Sequence, residues 1–337
     1  MIGKPGAAHP PYVHGRSLMH VLVKGAGVAG LTLAHELAAR GVRVTVADIR
    51  PDSSGSASWL AGGMLAPWCE RESAEEPVLT LGRMAADWWD NALPGEVVRN
   101  GTLVVAPPRD AAELARFAAR TGGHELIDGP GVEALELDLA GRFQRGLFFP
   151  GEAHLDPRRA LTGLREKLEA MGVAFRFASE TTLSADLEAD CTGMADGDAE
   201  LRGVRGEMLI LHAPDVALSR PVRLLHPRIP VYVVPRADHR FMVGATMIES
   251  EDTGPVSVRS MMELLNAAYS LHPAFAEAKI VETGVGVRPA YADNLPRVTR
   301  TGRGVRVNGL YRHGFLLSPA MAREAAEMLL GEKLRCA

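Results

Sequence analysis

The chain has 337 residues, with 41 acidic against 37 basic side chains, a formal net charge of −4 and 47% hydrophobic residues. That length allows one large or two modest domains with a real core, and the dispersed, near-neutral charge excludes a nucleic-acid footprint and a basic membrane face. Three separated cysteines, Cys69, Cys191 and Cys336, form no C-x-x-C pair, which argues against a disulfide framework, a zinc site or an iron–sulfur cluster. No metal is expected. The apolar stretches are too short and Gly-rich to span a bilayer, and the N-terminus lacks a secretory layout, so a cytoplasmic protein is expected. Residues 1–18, with Pro5, Pro10 and Pro11 and no periodicity, read as a disordered leader.

The first predicted element is the strand Val21–Lys24, followed by Gly25-Ala26-Gly27-Val28-Ala29-Gly30. Leu31, Ala34, Leu37 and Ala38 then recur at helical spacing, Gly41 stops the helix, and Val42, Val44 and Val46 alternate as a strand ending at Asp48-Ile49-Arg50. The whole unit is the βαβ fingerprint for a dinucleotide. The first glycine allows the turn, the second the approach of a pyrophosphate, and the third close helix–strand packing; the helix N-terminus faces the phosphates, and Asp48 stands where a ribose hydroxyl acceptor is needed.

A Ser/Gly-rich loop, Asp52 to Gly63, is too long for a simple connector and reads as functional. A helical stretch from Pro77 carries Leu79, Leu81, Met84, Trp88 and Trp89 and closes at Pro94-Gly95; the strand Thr102 to Val105 and the helix Asp110 to Arg120 follow. Asp156-Pro157 is an N-cap with Pro at N1, opening a helix whose buried stripe is Leu161, Leu164, Leu168 and Met171. Strands are predicted at Val173 to Phe177 and Ala189 to Gly193. Three more, at Glu207–Leu211, Val231–Val234 and Phe241–Thr246, read as antiparallel, with a helix from Val258 to Tyr269 among them. The chain ends with the strand Val305–Asn308, the loop Gly309–Leu317 and a helix from Pro319 to Leu330.

Four stretches together resemble the flavin-dependent amine and amino-acid oxidases of the D-amino acid oxidase superfamily, and within it the glycine oxidases of thiamine biosynthesis. They are the fingerprint with Asp48; Ser58-Trp59-Leu60-Ala61-Gly62-Gly63-Met64-Leu65-Ala66-Pro67; Val204-Arg205-Gly206-Glu207; and Gly244-Ala245-Thr246-Met247 through Gly286-Val287-Arg288-Pro289 to Tyr311-Arg312-His313-Gly314. The resemblance implies an α/β fold with a discontinuous Rossmann-like FAD-binding domain of the glutathione-reductase type, over 19–76, 150–205 and 284–337. A substrate domain built on an antiparallel sheet would take 77–149 and 206–283.

It further implies non-covalent FAD rather than NAD, held by the fingerprint, by Asp48, Ile49 and Arg50, by Ser58 and the backbone of Gly62, Gly63 and Met64, and by the pyrophosphate-closing turn at Gly193. The amides of Gly314, Phe315, Leu316 and Leu317, leading into a helix with Pro319 at N1, would stabilise negative charge on the reduced ring. Arg288, set among apolar and Gly residues, is an odd setting for a solvated arginine and suits a bidentate carboxylate. The resemblance assigns it that clamp, gives Tyr232 a hydroxyl on the same carboxylate, and places Arg312 beside the flavin, where it either binds substrate or holds the loop. The implied partners are a small amino acid and oxygen, with hand-over of the product to thiazole synthase; neither nucleic acid nor membrane is expected, and a homo-oligomer is compatible with the sequence. Two alternatives stay open: another substrate such as a D-amino acid, sarcosine or proline, and a flavoprotein without turnover.

Overall fold

The computed structural model describes residues 19–178, 183–225 and 231–331; the expected leader lies outside them. A six-stranded sheet runs in the order Arg297–Thr301, Gly304–Asn308, Leu187–Asp190, His20–Lys24, Arg43–Asp48, Ala174–Phe177. All neighbours pair in parallel except the edge strand Arg297–Thr301, which forms a hairpin with Gly304–Asn308. Central parallel strands are covered on both faces, which is why Val21, Leu22 and Val23 are fully buried in succession instead of alternating. The helix Val28–Ala39 is buried over most of its circumference, between the helix Pro157–Ala170 and the C-terminal helix Gly314–Leu330. A Cβ on Gly30 would overlap the Gly25 carbonyl oxygen, so only glycine permits this approach of helix to strand.

The second sheet has nine strands. Its path is Ile248–Glu249, Arg202–His212, Arg240–Gly244, Val231–Pro235, Val222–Leu224, Thr102–Val105, Arg145–Phe149, Glu125–Asp128, with Lys279–Ala290 paired along Arg202–His212. Pairing is antiparallel except between Val222–Leu224 and Thr102–Val105. One face packs Leu209, Leu211, Val233 and Val243 against Leu264, Ala268 and Leu271 of the helix Val258–Leu271.

The expected elements differ from the observed ones in several places. The helical stretch after Pro77 is two helices, Glu76–Gly82 and Ala85–Ala92, and both join the nucleotide-side core. Trp88 Nε1 donates to Glu36 Oε1 at 2.7 Å and Trp89 Nε1 to the Phe315 carbonyl at 2.9 Å, which ties the stretch to the first layer. The boundaries at 205/206 and 283/284 cut through two continuous strands, Arg202–His212 and Lys279–Ala290, both members of the large sheet. The last helix begins at Gly314 instead of Pro319, because Leu317 N already donates to His313 O at 2.8 Å. The strand expected at Ala189–Gly193 runs from Leu187 to Asp190 and leaves Cys191 to Gly193 as a turn region.

Candidate active site

Residues of both sheets line one cavity of about 520 Å³. At its nucleotide end stand Gly27, Val28 and Ala29, where the first helix begins. Arg50, Ser58 and the segment Cys191 to Ala195 complete that end. Ser58 Oγ accepts from Val28 N at 3.1 Å, so the loop after the second strand is fastened to the start of the helix. The remaining first-turn amides have no partner within the helix, and the positive end of the dipole points into the cavity.

Asp48 is only 3% exposed and is not on the cavity wall. Its carboxylate accepts from Ala26 N at 2.7 Å, from Arg50 N at 2.9 Å, and from the Arg50 guanidinium at 2.9 and 2.6 Å. Burial alone would raise this carboxyl, but Arg50 and the two amides hold it below the usual range. Asp48 therefore fixes both the Gly-rich turn and Arg50, and Arg50 presents the polar group at the wall. Ile49 is 69% exposed and lies off the cavity. Gly25, Ala26 and Gly30 sit behind the wall, as turn and packing residues.

In mid-cavity the wall is Gly62, Gly63 and Met64 on one side and the start of the C-terminal helix on the other. Arg236, 8% exposed at its side chain, donates to Gly62 O at 2.7 Å and holds that loop in place; sequence reading gave no reason to select it. Gly314, Phe315 and Leu316 line the cavity, while Leu317, its amide already bonded, does not. His313 is the N-cap residue and makes no side-chain cap, which leaves the helix amides unoccupied by protein side chains.

The far end carries Arg288, Tyr232 and Arg312, brought together from the long strand, the sheet centre and the last loop. Arg288 Nη1 donates to Thr246 O at 3.0 Å, and no salt bridge to it is formed among the described residues. Burial lowers this guanidinium to about 10, as expected for a cation enclosed without a counter-ion. Gly206, on the paired strand two residues from Val204, the register partner of Arg288, lies under the guanidinium, and a Cβ there would force that group to move. Arg312 is different. Its Nε and Nη2 donate to Glu70 Oε2 at 2.8 and 2.6 Å.

Glu70 was not selected from sequence. It ends a short helix, Pro67–Glu70, is 8% exposed, and accepts the Tyr232 hydroxyl at 2.8 Å. Burial would raise it, but Arg312, His313 and Arg223 together hold it at about 2. Burial lowers the neighbouring His313 to about 4, so its ring is neutral at physiological pH. Met64, Met208, Met242 and Met247 supply apolar wall.

The donor set fits an anionic dinucleotide: two helix N-termini open on a single cavity, and Arg50, held in place by Asp48, stands beside the first of them. Comparison with known proteins agrees. The family model described as FAD dependent oxidoreductase (DAO) matches residues 20–328. A protein of Rhizobium etli named as a thiamine biosynthesis oxidoreductase, ThiO, is 62% identical over 319 residues, 94% of this chain and 98% of its own. A glycine oxidase of Pseudomonas aeruginosa is 28% identical over 93% of this chain and 95% of its own. The crystal structure of glycine oxidase from Geobacillus kaustophilus superposes with a TM-score of 0.79 at 22% identity, over 93% of this chain and 95% of that one.

Proposed function

Because the chain belongs to the DAO family of FAD-dependent oxidoreductases, we propose that it oxidises the α-carbon of glycine, or of a similarly small amino acid, and passes the electrons to oxygen. Glycine and O2 give the imine and hydrogen peroxide; water then converts the imine to glyoxylate and ammonia, unless the imine is handed to thiazole synthesis. Bound FAD supplies the two-electron acceptor for the hydride leaving carbon. The fingerprint loop, Arg50, Ser58 and the amides of Gly314 to Leu316 would hold it.

One observation carries this reading: Arg288 is an enclosed guanidinium on the cavity wall with a backbone carbonyl for company and, among the described residues, no carboxylate partner. Such a group favours a ligand that brings the missing anion, and a planar fork suits a carboxylate. The Tyr232 hydroxyl, which the resemblance put on the substrate carboxylate, donates to Glu70 instead; it closes the same end and can accept a hydrogen bond from the substrate's amino group. The methionine wall around it favours a small substrate. Neither Glu70, held at about 2, nor His313, lowered to about 4, is suited to take a proton from an ammonium group. The amine therefore binds unprotonated, and the residues contribute orientation and electrostatics instead of a general base.

The test is anaerobic addition of glycine to the purified yellow protein, followed by admission of air. Loss of the flavin absorption, its return with oxygen and one peroxide per glycine support the reading. A protein that stays yellow with glycine, sarcosine and D-alanine alike overturns the reading.

A further inference from the structure

Two arginines reach the substrate end of the cavity, and their electrostatic states are opposite. Arg312 is paired with Glu70 through two short hydrogen bonds, at 2.8 and 2.6 Å, and also donates to Ser73 Oγ at 3.0 Å and to Met247 Sδ at 3.3 Å. Arg288 has a backbone carbonyl at 3.0 Å and no ion pair among the described residues. Glu70 is itself anchored on its other oxygen by the Tyr232 hydroxyl at 2.8 Å, so it cannot swing away without breaking bonds on both sides. The side chains of Glu70 and Arg312 are 11% and 15% exposed, and both residues line the cavity. In so enclosed a setting a fixed charge acts on its neighbours with little screening.

We propose that Glu70 is a specificity-determining residue which, by neutralising Arg312, limits the cavity to substrates with a single anionic group. Arg288 takes the one carboxylate. A second carboxylate, carried on the substrate nitrogen or side chain, meets an arginine already satisfied and the negative charge of Glu70 beside it. Monocarboxylate amines enter, and dicarboxylate amines of similar size are turned away. This rests on the amino-acid reading proposed above, but not on turnover.

The probes are methoxyacetate and diglycolate, which share the C–O–CH2–carboxylate skeleton and differ by one carboxylate added on the methoxy carbon; neither has an amine to oxidise. Their binding to the FAD-loaded protein is measured by calorimetry. Wild type should bind methoxyacetate at least about tenfold more tightly than diglycolate, because like charges in an enclosed site repel strongly. Glu70→Gln, which keeps the shape and frees Arg312, should erase or invert that preference by about tenfold or more, and Glu70→Asp should retain it. The double variant Glu70→Gln/Arg312→Gln, with neither charge, should lose the diglycolate binding gained by Glu70→Gln. A simple packing role for Glu70 would weaken both ligands together and leave their ratio alone. Equal binding of the two ligands to wild type, or an unchanged ratio in Glu70→Gln, overturns the proposal; the wild-type comparison decides even where the variant does not fold. Should the preference hold while no amine bleaches the flavin, the oxidase reading fails and the charge filter stands. Should glycine be oxidised with no preference between the probes, the filter alone fails.

Discussion

Trp89 donates its indole N–H to the Phe315 carbonyl at 2.9 Å. That oxygen would be the acceptor for residue 319 in a regular helix, and residue 319 is a proline without an N–H. A side chain from the helix Ala85–Ala92 thus supplies the bond that Pro319 withholds, and so keeps a proline inside the helix whose first turn lines the cavity. Trp89 is fully buried.

Trp89→Phe leaves the Phe315 carbonyl without its donor. The expected loss is about 1 to 3 kcal/mol, the usual range for a buried acceptor left unpaired, plus a smaller packing term. Chemical denaturation of the FAD-loaded protein measures it. A variant as stable as wild type would show that the carbonyl finds another partner.

Arg288→Lys keeps the charge but loses the planar fork, and should raise KM for glycine about tenfold or more while FAD stays bound. Gly206→Ala reaches the same group from the facing strand, since its Cβ would overlap the guanidinium. Steady-state kinetics should show both variants failing in KM. A kcat defect with normal KM in either would move Arg288 away from ground-state binding.

Asp48→Ala removes the acceptor shared by the Ala26 amide and the Arg50 guanidinium. Losing charge-assisted bonds of this kind costs about 1.5 to 3 kcal/mol, so FAD should bind roughly ten- to a hundredfold more weakly. Quenching of flavin fluorescence on titration of the apoprotein reads this directly, and unchanged affinity would separate Asp48 from cofactor binding.

Glu152 is 1% exposed, and its Oε1 accepts from Cys69 N at 2.7 Å. Burial raises this carboxyl from 4.5 to about 7. The folded chain therefore holds the proton more tightly than the unfolded one, and stability contributed by this group is greatest below 4.5 and falls as pH rises towards about 7. Glu152→Gln cannot ionise. Its stability relative to wild type should grow between about pH 5 and about pH 8, by on the order of 2 to 3 kcal/mol, as seen in paired thermal melts. A difference that does not vary with pH would mean that Glu152 does not titrate in that window.

The local units could be read directly from the chain. The βαβ fingerprint, the Asp156-Pro157 helix start and the helix Val258–Leu271 are each specified by residues a few positions apart, and the structure forms them nearly as expected. The strand Lys279–Ala290 escaped notice although Val281, Val285 and Val287 alternate, because Gly284, Gly286 and Pro289 look like turn residues when the paired strand is not in view. In the sheet those glycines leave room instead for Leu60 and Met208 at the cavity.

By itself the sequence determined the dinucleotide cradle and singled out an arginine in apolar company, since glycine spacing, apolar period and local composition act over one or two turns of chain. Only the tertiary structure decided which of Arg288 and Arg312 has no ion pair among the described residues. Glu70 is 242 positions from Arg312 and 162 from Tyr232, and nothing in a local pattern can say that this carboxylate will be buried between them. Ion pairing depends on distance through space and on removal from water, and both are fixed only when the two sheets close over the same cavity.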